Sequence, residues 1–326
     1  MRNDYKRTGN KYLVIRYKPG ENAPFKICSE EGIEIIDGDN LKTKDIEQKS
    51  AAFNPDLVYV SGWTDKRYRY LAKKYRDLNL PVILGMDNHW KGSIKQHVAS
   101  FISTVYLKKY YSHIWIPGTP QYYFARKLGF SDDEIITGLY CADENNFKEN
   151  SPSKFERQIT FVGRLVEHKG INILCNVLEK LIKNDRLFFS VQFIGNGPLK
   201  SSIPVHRKIT HTSFVPPDKL PAILNNTGFL ILPSLYEAWG VVVHEAALSG
   251  LPLISTYQTG ATTNFLIHGY NGFLYHANDQ KKLYEILLSL NEFTEKKYFK
   301  FSQNSKNIAS RINLDSWSAT LNSLNK

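Results

Sequence analysis

Short apolar runs ending on glycine or polar residues alternate with charged amphipathic stretches along the chain, and this alternation restricts the fold more than any other feature. Leu13-Val14-Ile15, Asp56 to Val60, Pro81 to Leu84 and His113 to Ile116 have the length and β-branched content of strands. A charged segment from about Thr64 to Leu78 has helical spacing. Another helix starts near Thr119-Pro120, where proline suits the first turn. A polar stretch, Glu144 to Lys154, interrupts the rhythm and reads as the interdomain linker. The rhythm then restarts, with strands at 159–162, 188–194, 228–232 and 252–255, helices at about 169–183 and 241–249, and helices from Lys281 onward. Such alternation builds parallel sheets covered by helices. The expected fold class is therefore α/β, two doubly wound Rossmann-like domains facing a cleft, with 1–150 as the first and 151–310 as the second. In open parallel sheets ligands bind beyond the carboxyl ends of the strands, so the loops that follow strands are where chemistry is to be sought.

A chain of 326 residues is long enough for two cores. Its three cysteines, Cys28, Cys141 and Cys175, are widely spaced and form no Cys-x-x-Cys pattern, which argues against a zinc site or a disulfide framework. No apolar run approaches the roughly 20 residues of a membrane span. Met1 to Arg7 leads into no apolar stretch, so a cytoplasmic protein is expected, with the inner face of the cell membrane as a second address. Forty-two Lys plus Arg against 31 Asp plus Glu give a net charge of +11 and favour anionic partners. No zinc-finger, RNP-type or basic-zipper pattern accompanies that charge, so no nucleic-acid partner is expected. Phosphorylated small molecules and an anionic membrane surface remain.

Three segments carry candidate chemistry. In Phe161 to Gly170, Gly163 permits close backbone approach at a strand end, and Arg164 and Lys169 place two cations beside a helix start, an arrangement suited to a diphosphate. In Pro233 to Ala246, Glu237 lies in the loop and Glu245 about one turn into the helix. Either carboxylate is a bidentate acceptor for vicinal hydroxyls, and Gly240 lets helix-start amides reach an anion. Thr259-Gly260, followed by His268-Gly269-Tyr270-Asn271-Gly272-Phe273-Leu274, is the third.

Read in order, these segments resemble retaining glycosyltransferases of the GT-B fold, the nucleotide-sugar-dependent family four, also called glycosyl transferases group 1. Together they span about 115 residues of the second domain, and the set is specific where each member alone is weak. The resemblance implies that Arg164 and Lys169 bind the donor diphosphate, Glu237 contacts the donor sugar and Glu245 holds the ribose. It implies that the amides of Ala238, Trp239, Gly240 and Val241 cradle sugar and phosphate. Asn196 and Gly197, with Phe214 and Val215, match the loops around the nucleobase. It also implies that 311–326 forms a helix crossing back to the first domain. No cofactor or metal is expected; the donor is a nucleotide-diphosphate sugar, a UDP-sugar slightly favoured, and the acceptor a saccharide or lipid-linked hydroxyl. Departures exist. The acid expected after Thr259-Gly260 is absent from Ala261-Thr262-Thr263-Asn264, and the acceptor loop after the first strand is reduced to Lys18 to Pro24. Where the family often carries a histidine after a first-domain strand, this chain has Asp87, with His89 two residues on; both are candidate active-site groups.

Rival signals are weaker. Asp37-Gly38-Asp39 matches a metal-binding Asp-x-Asp pattern but reads as a turn. Gly195-x-Gly197 lacks the third glycine of a dinucleotide fingerprint. His206 and His211 have no ligand-spaced partners and read as surface residues. The alternatives carried forward are a same-fold sugar-nucleotide epimerase or glycan phosphorylase, and a non-enzymatic polyanion-binding module.

Overall fold

The computed structural model describes residues 1–18, 28–147 and 154–324. The expected acceptor loop lies largely outside them, as does part of the expected linker. The chain divides into two compact units, residues 1–139 with 314–326, and residues 140–313.

In the first unit, β1 (Tyr12–Arg16) and β2 (Ile33–Asp37) form a parallel pair. A four-stranded parallel sheet follows in the order β3 (Val58–Ser61), β4 (Val82–Gly85), β5 (His113–Trp115) and β6 (Ile135–Ile136). Every residue of β4 is buried, as a central parallel strand covered on both faces requires. The charged helix Lys66–Asp77 is capped by Asp65, whose carboxylate accepts from the Arg67 amide at 2.8 Å, and it buries Leu71, Ala72 and Tyr75. The last helix, Leu314–Ser323, groups with this unit; Trp317 stacks on Trp115 with ring centroids 5.3 Å apart. Asp37 ends β2, and Asp39 accepts from the Lys18 amide at 2.8 Å, so this acidic pair is used to shape the chain locally.

The second unit is a six-stranded parallel sheet of β7 (Gln158–Val162), β8 (Ser190–Ile194), β9 (Ile209–Thr212), β10 (Phe229–Leu232), β11 (Leu253–Thr256) and β12 (Gly272–Tyr275). Its spatial order is β9-β8-β7-β10-β11-β12. This is the doubly wound 3-2-1-4-5-6 order, and its topological switch lies between β7 and β10. β10 and β11 are buried throughout. The helix Ile171–Lys183 packs Ile171, Leu174, Val177, Leu178 and Leu181 inward at helical spacing.

Four expectations change. The first unit closes at Leu139, not at 150, because Ala142 and Phe147 belong to the second core and Glu144–Phe147 is a helical turn instead of linker. The expected helix from Lys169 begins at Ile171, and Lys169 sits in a preceding 3₁₀ turn, Glu167–Lys169. The strand series, expected to end at 252–255, continues with Gly272–Tyr275, which is β12, and Ile209–Thr212, assigned to no element, is β9. His206 and His211, expected at the surface, are half-buried and hydrogen-bonded. The Nδ1 of His206 accepts from the Lys208 amide at 3.3 Å, and the Nε2 of His211 meets the Gly195 carbonyl at 2.8 Å.

Candidate active site at the sheet edge of the second unit

Because all six strands are parallel, the loops following β7 to β11 emerge at one edge of the sheet. Backbone bonds lace them together in spatial order. Gly195 donates to Thr212 and Gly163 to Ile194, and Leu165 donates to Asn196 at 2.9 Å. The His168 carbonyl accepts from Leu235 at 2.8 Å and Tyr236 at 3.3 Å, joining the β7 and β10 loops across the switch point. Glu237 donates its amide to Gln258 at 3.1 Å and accepts from Gly260 at 3.0 Å, while Ala261 donates to Trp239 at 2.9 Å, joining the β10 and β11 loops.

Three glycines are required by this lacing; at Gly197 a Cβ would stand 2.2 Å from the Leu165 carbonyl oxygen. At Gly195 (φ 130°) a Cβ would stand 2.0 Å from the Gly163 carbonyl oxygen. At Gly170 (φ 70°) it would stand 2.0 Å from that of Pro233. A side chain at any of these positions separates adjacent loops.

At the switch point the Lys169 ammonium is paired with the Glu237 carboxylate, both side chains being mostly buried. The sequence proposes each for the donor but does not show that they meet. Arg164 is exposed and meets no partner among the described residues. Gly240, φ 92°, precedes the helix Val241–Leu248, and the amides of Gly240, Val241 and Val242 meet no acceptor among the described residues. One unpaired cation and a set of unfilled helix-start amides therefore share this edge with the Lys169–Glu237 pair, a combination suited to an anion.

Glu245 follows one turn into that helix and is half-buried; burial pushes its carboxyl up to about 7. The Trp239 side chain is 2% exposed and lies edge-to-face on Phe265 at 6.2 Å, so only its backbone can serve a ligand. Asn196 is exposed, Gly197 and Val215 are half-buried, and Phe214 is 38% exposed, on the loops after β8 and β9. His244, absent from the sequence reading, is a buried brace. Its Nδ1 accepts from the Ala142 amide at 3.1 Å, its Nε2 meets the Ala309 carbonyl at 3.1 Å, and its ring stacks on Phe265.

In the first unit, Asp87 and His89 stand just beyond the carboxyl end of β4. Gln121 donates to the Asp87 carbonyl at 3.0 Å and Gln96 to that of His89 at 2.7 Å.

Two such sheets with site loops at the carboxyl edge of the second define the GT-B glycosyltransferase fold, and known proteins agree. The structure of HepE (Alr3699) from Anabaena, solved with UDP and with UDP-glucose, superposes with a TM-score of 0.74 over 96% of this chain and 98% of that one, at 15% identity. An uncharacterized glycosyltransferase of Methanocaldococcus jannaschii, MJ1178, is 28% identical over 299 residues, 86% of this chain and 71% of its own. TuaC of Bacillus subtilis, named for teichuronic acid biosynthesis, is 33% identical over 156 residues, 44% of this chain and 38% of its own. The sequence model of the glycosyl transferases group 1 family matches residues 142–308. The chain belongs to that family and is an enzyme that transfers sugars.

Proposed function

We propose that the chain transfers a hexosyl group, with retention at the anomeric carbon, from a nucleotide-diphosphate sugar to a hydroxyl of a saccharide or lipid-linked acceptor. The observation that carries this reading is the Lys169–Glu237 pair set beside unfilled helix-start amides at the switch point. Donor binding exchanges the pair: Lys169 and Arg164 turn to the diphosphate, and Glu237 is released to accept from a sugar hydroxyl. The amides of Gly240 to Val242 receive the remaining phosphate charge, and Glu245, when ionised, accepts from the two ribose hydroxyls. The acceptor oxygen then forms its bond to the anomeric carbon on the face from which the diphosphate leaves. Its proton passes to the departing phosphate oxygen. Glu237 positions the sugar and is not a nucleophile. Fixed cations and amides aimed at the leaving-group charge typically contribute roughly 3–4 kcal/mol each to such a step. Asp87 and His89 are proposed for the acceptor side. No metal or cofactor enters this account. The UDP and UDP-glucose bound by HepE favour a UDP-sugar, and the name of TuaC favours a polysaccharide acceptor of the cell surface.

Thermal unfolding with UDP, GDP, ADP and CMP, then with their sugars, tests the reading. A ligand at roughly 100 times its dissociation constant stabilises the native state by about 2.7 kcal/mol. A shift with one nucleoside diphosphate that disappears in Lys169→Ala supports the site, and no shift with any of them removes it. An epimerase would turn over the sugar nucleotide without acceptor, and a phosphorylase would require inorganic phosphate.

A further inference from the structure

The helix Ile94–Tyr106 in the first unit is packed inside out. Ordinary surface helices turn their large apolar residues to the core and their polar residues to water. Here the one buried residue is Ser103, whose hydroxyl donates to the Ala99 carbonyl. Gly129 lies so close beneath that a Cβ there would stand 2.7 Å from the Thr104 Cα. The large residues face outward: Ile94 is 83% exposed, Val98 53%, Phe101 86%, Ile102 58% and Val105 68%. These positions fall at i, i+4, i+7, i+8 and i+11, one continuous stripe along a helix of 13 residues, about 20 Å long. Exposed apolar side chains are ordinary one at a time; a whole helical face of them marks something that covers it.

The surrounding charge identifies the cover. From Asn88 to Ser131 the chain contains no Asp or Glu, while Lys91, Lys95, Lys108, Lys109, Arg126 and Lys127 fall within it. Glu134 neutralises Lys108 and Asp132 contacts Arg126, both from outside that stretch. Lys127 lies over the Trp90 and Tyr123 rings, 4.8 Å from each centroid. Lys95 and Lys109 are exposed and meet no partner among the described residues, and they lie within and just beyond the helix. A protein partner would have to meet both an apolar ridge and an uncompensated positive field. An anionic bilayer supplies acyl chains for the first and headgroup charge for the second. No helix among the described residues is long and apolar enough to cross a membrane, so the contact lies in the interface plane.

We propose that the outward face of the Ile94–Tyr106 helix, with Lys95 and Lys109, docks this chain on an anionic phospholipid surface, the stripe from Ile94 to Val105 entering the headgroup–acyl boundary. This inference stands on the first unit alone and is independent of the donor reading.

The test is flotation of the full chain with phosphatidylcholine vesicles containing about one third phosphatidylglycerol at physiological salt, beside vesicles of phosphatidylcholine alone. The chain is expected to float with the anionic vesicles. Phe101→Asp is expected to weaken that binding about tenfold or more, and the double variant Lys95→Glu, Lys109→Glu to weaken it several-fold, the charge-dependent share fading as salt is raised. Phe101→Trp keeps an apolar anchor; it is expected to float like the parent and to shift its emission to the blue on adding vesicles, which holds the test open should the aspartate variant misfold. Failure of the parent to float, or flotation unchanged by Phe101→Asp in a folded variant, overturns the proposal. So does a concentration-dependent dimer, abolished by Phe101→Asp, in a chain that does not float. Nucleoside diphosphate binding, measured on the same variants, is expected to stay unchanged.

Discussion

Four loops at the carboxyl edge of the second unit's sheet, those after β7, β8, β10 and β11, are joined to one another by backbone hydrogen bonds, with three glycines placed where no side chain fits. At the matching edge of the first unit, the segment carrying Asp87 and His89 is held by two side-chain amides, those of Gln121 and Gln96. A backbone-laced rim is fixed in shape before a ligand arrives. A segment held by side chains is re-aimed by single substitutions. That division suits the proposed function, in which the second unit holds the donor diphosphate and the first the acceptor hydroxyl.

The largest effect is expected at Lys169. Lys169→Ala removes a cation from the proposed leaving group and leaves Glu237 mostly buried without its partner; turnover is expected to fall by two to three orders of magnitude. Steady-state kinetics with the donor identified by thermal shift measures this, and near-normal turnover contradicts the role. Gly195→Ala sets a methyl against the Gly163 carbonyl in a left-handed conformation, so a loss of about 2–3 kcal/mol in denaturant unfolding is expected. Gly138→Ala is expected to cost less, since at φ 84° it meets the same backbone strain but nothing lies within 4 Å of a Cβ. In the first unit, Asp87→Asn is expected to lower turnover about tenfold while leaving nucleoside diphosphate affinity unchanged, which single-turnover and binding measurements separate.

The smallest effect concerns Glu245. Burial raises its carboxyl from 4.5 to about 7, so the folded state holds a proton that the unfolded chain releases earlier. Stability from that site is complete below pH 4.5 and is lost as pH rises through 7. Glu245→Gln should therefore gain on the parent in denaturant midpoint between pH 4.5 and 7 and then level off. Because the ionised carboxylate is the proposed ribose acceptor, nucleoside diphosphate affinity of the parent should rise several-fold over the pH range around 7, and that of the variant should stay flat.

Much of this was legible in the sequence where backbone geometry dictates residue type. Gly163 and Gly195 follow strand ends and Gly170 and Gly240 precede helices, each where positive φ or close approach demands glycine, so the spacing of the motifs survives in the letters alone. The buried runs of β4, β10 and β11 are similarly plain. What was hidden depends on spatial neighbours. Lys169 and Glu237 are 68 positions apart and meet only because β7 and β10 adjoin at the switch of strand order, which alternation alone does not reveal. β9, at the sheet edge, alternates half-buried and exposed residues and carries no apolar run. The linker was misplaced because Glu144 to Asn146 are polar while Phe147, within the same turn, is drawn into the core. The Ile94–Tyr106 helix shows helical spacing in its letters but not which way its apolar side faces.

Whether the second unit holds the diphosphate is tested most directly by calorimetric titration. The nucleoside diphosphate that shifts unfolding is titrated into the parent, Arg164→Ala and Asp87→Asn under one buffer. A loss of affinity of about tenfold or more is expected for Arg164→Ala and none for Asp87→Asn. Unchanged binding in Arg164→Ala, with loss in Asp87→Asn, would place the diphosphate in the first unit and contradict a donor site in the second.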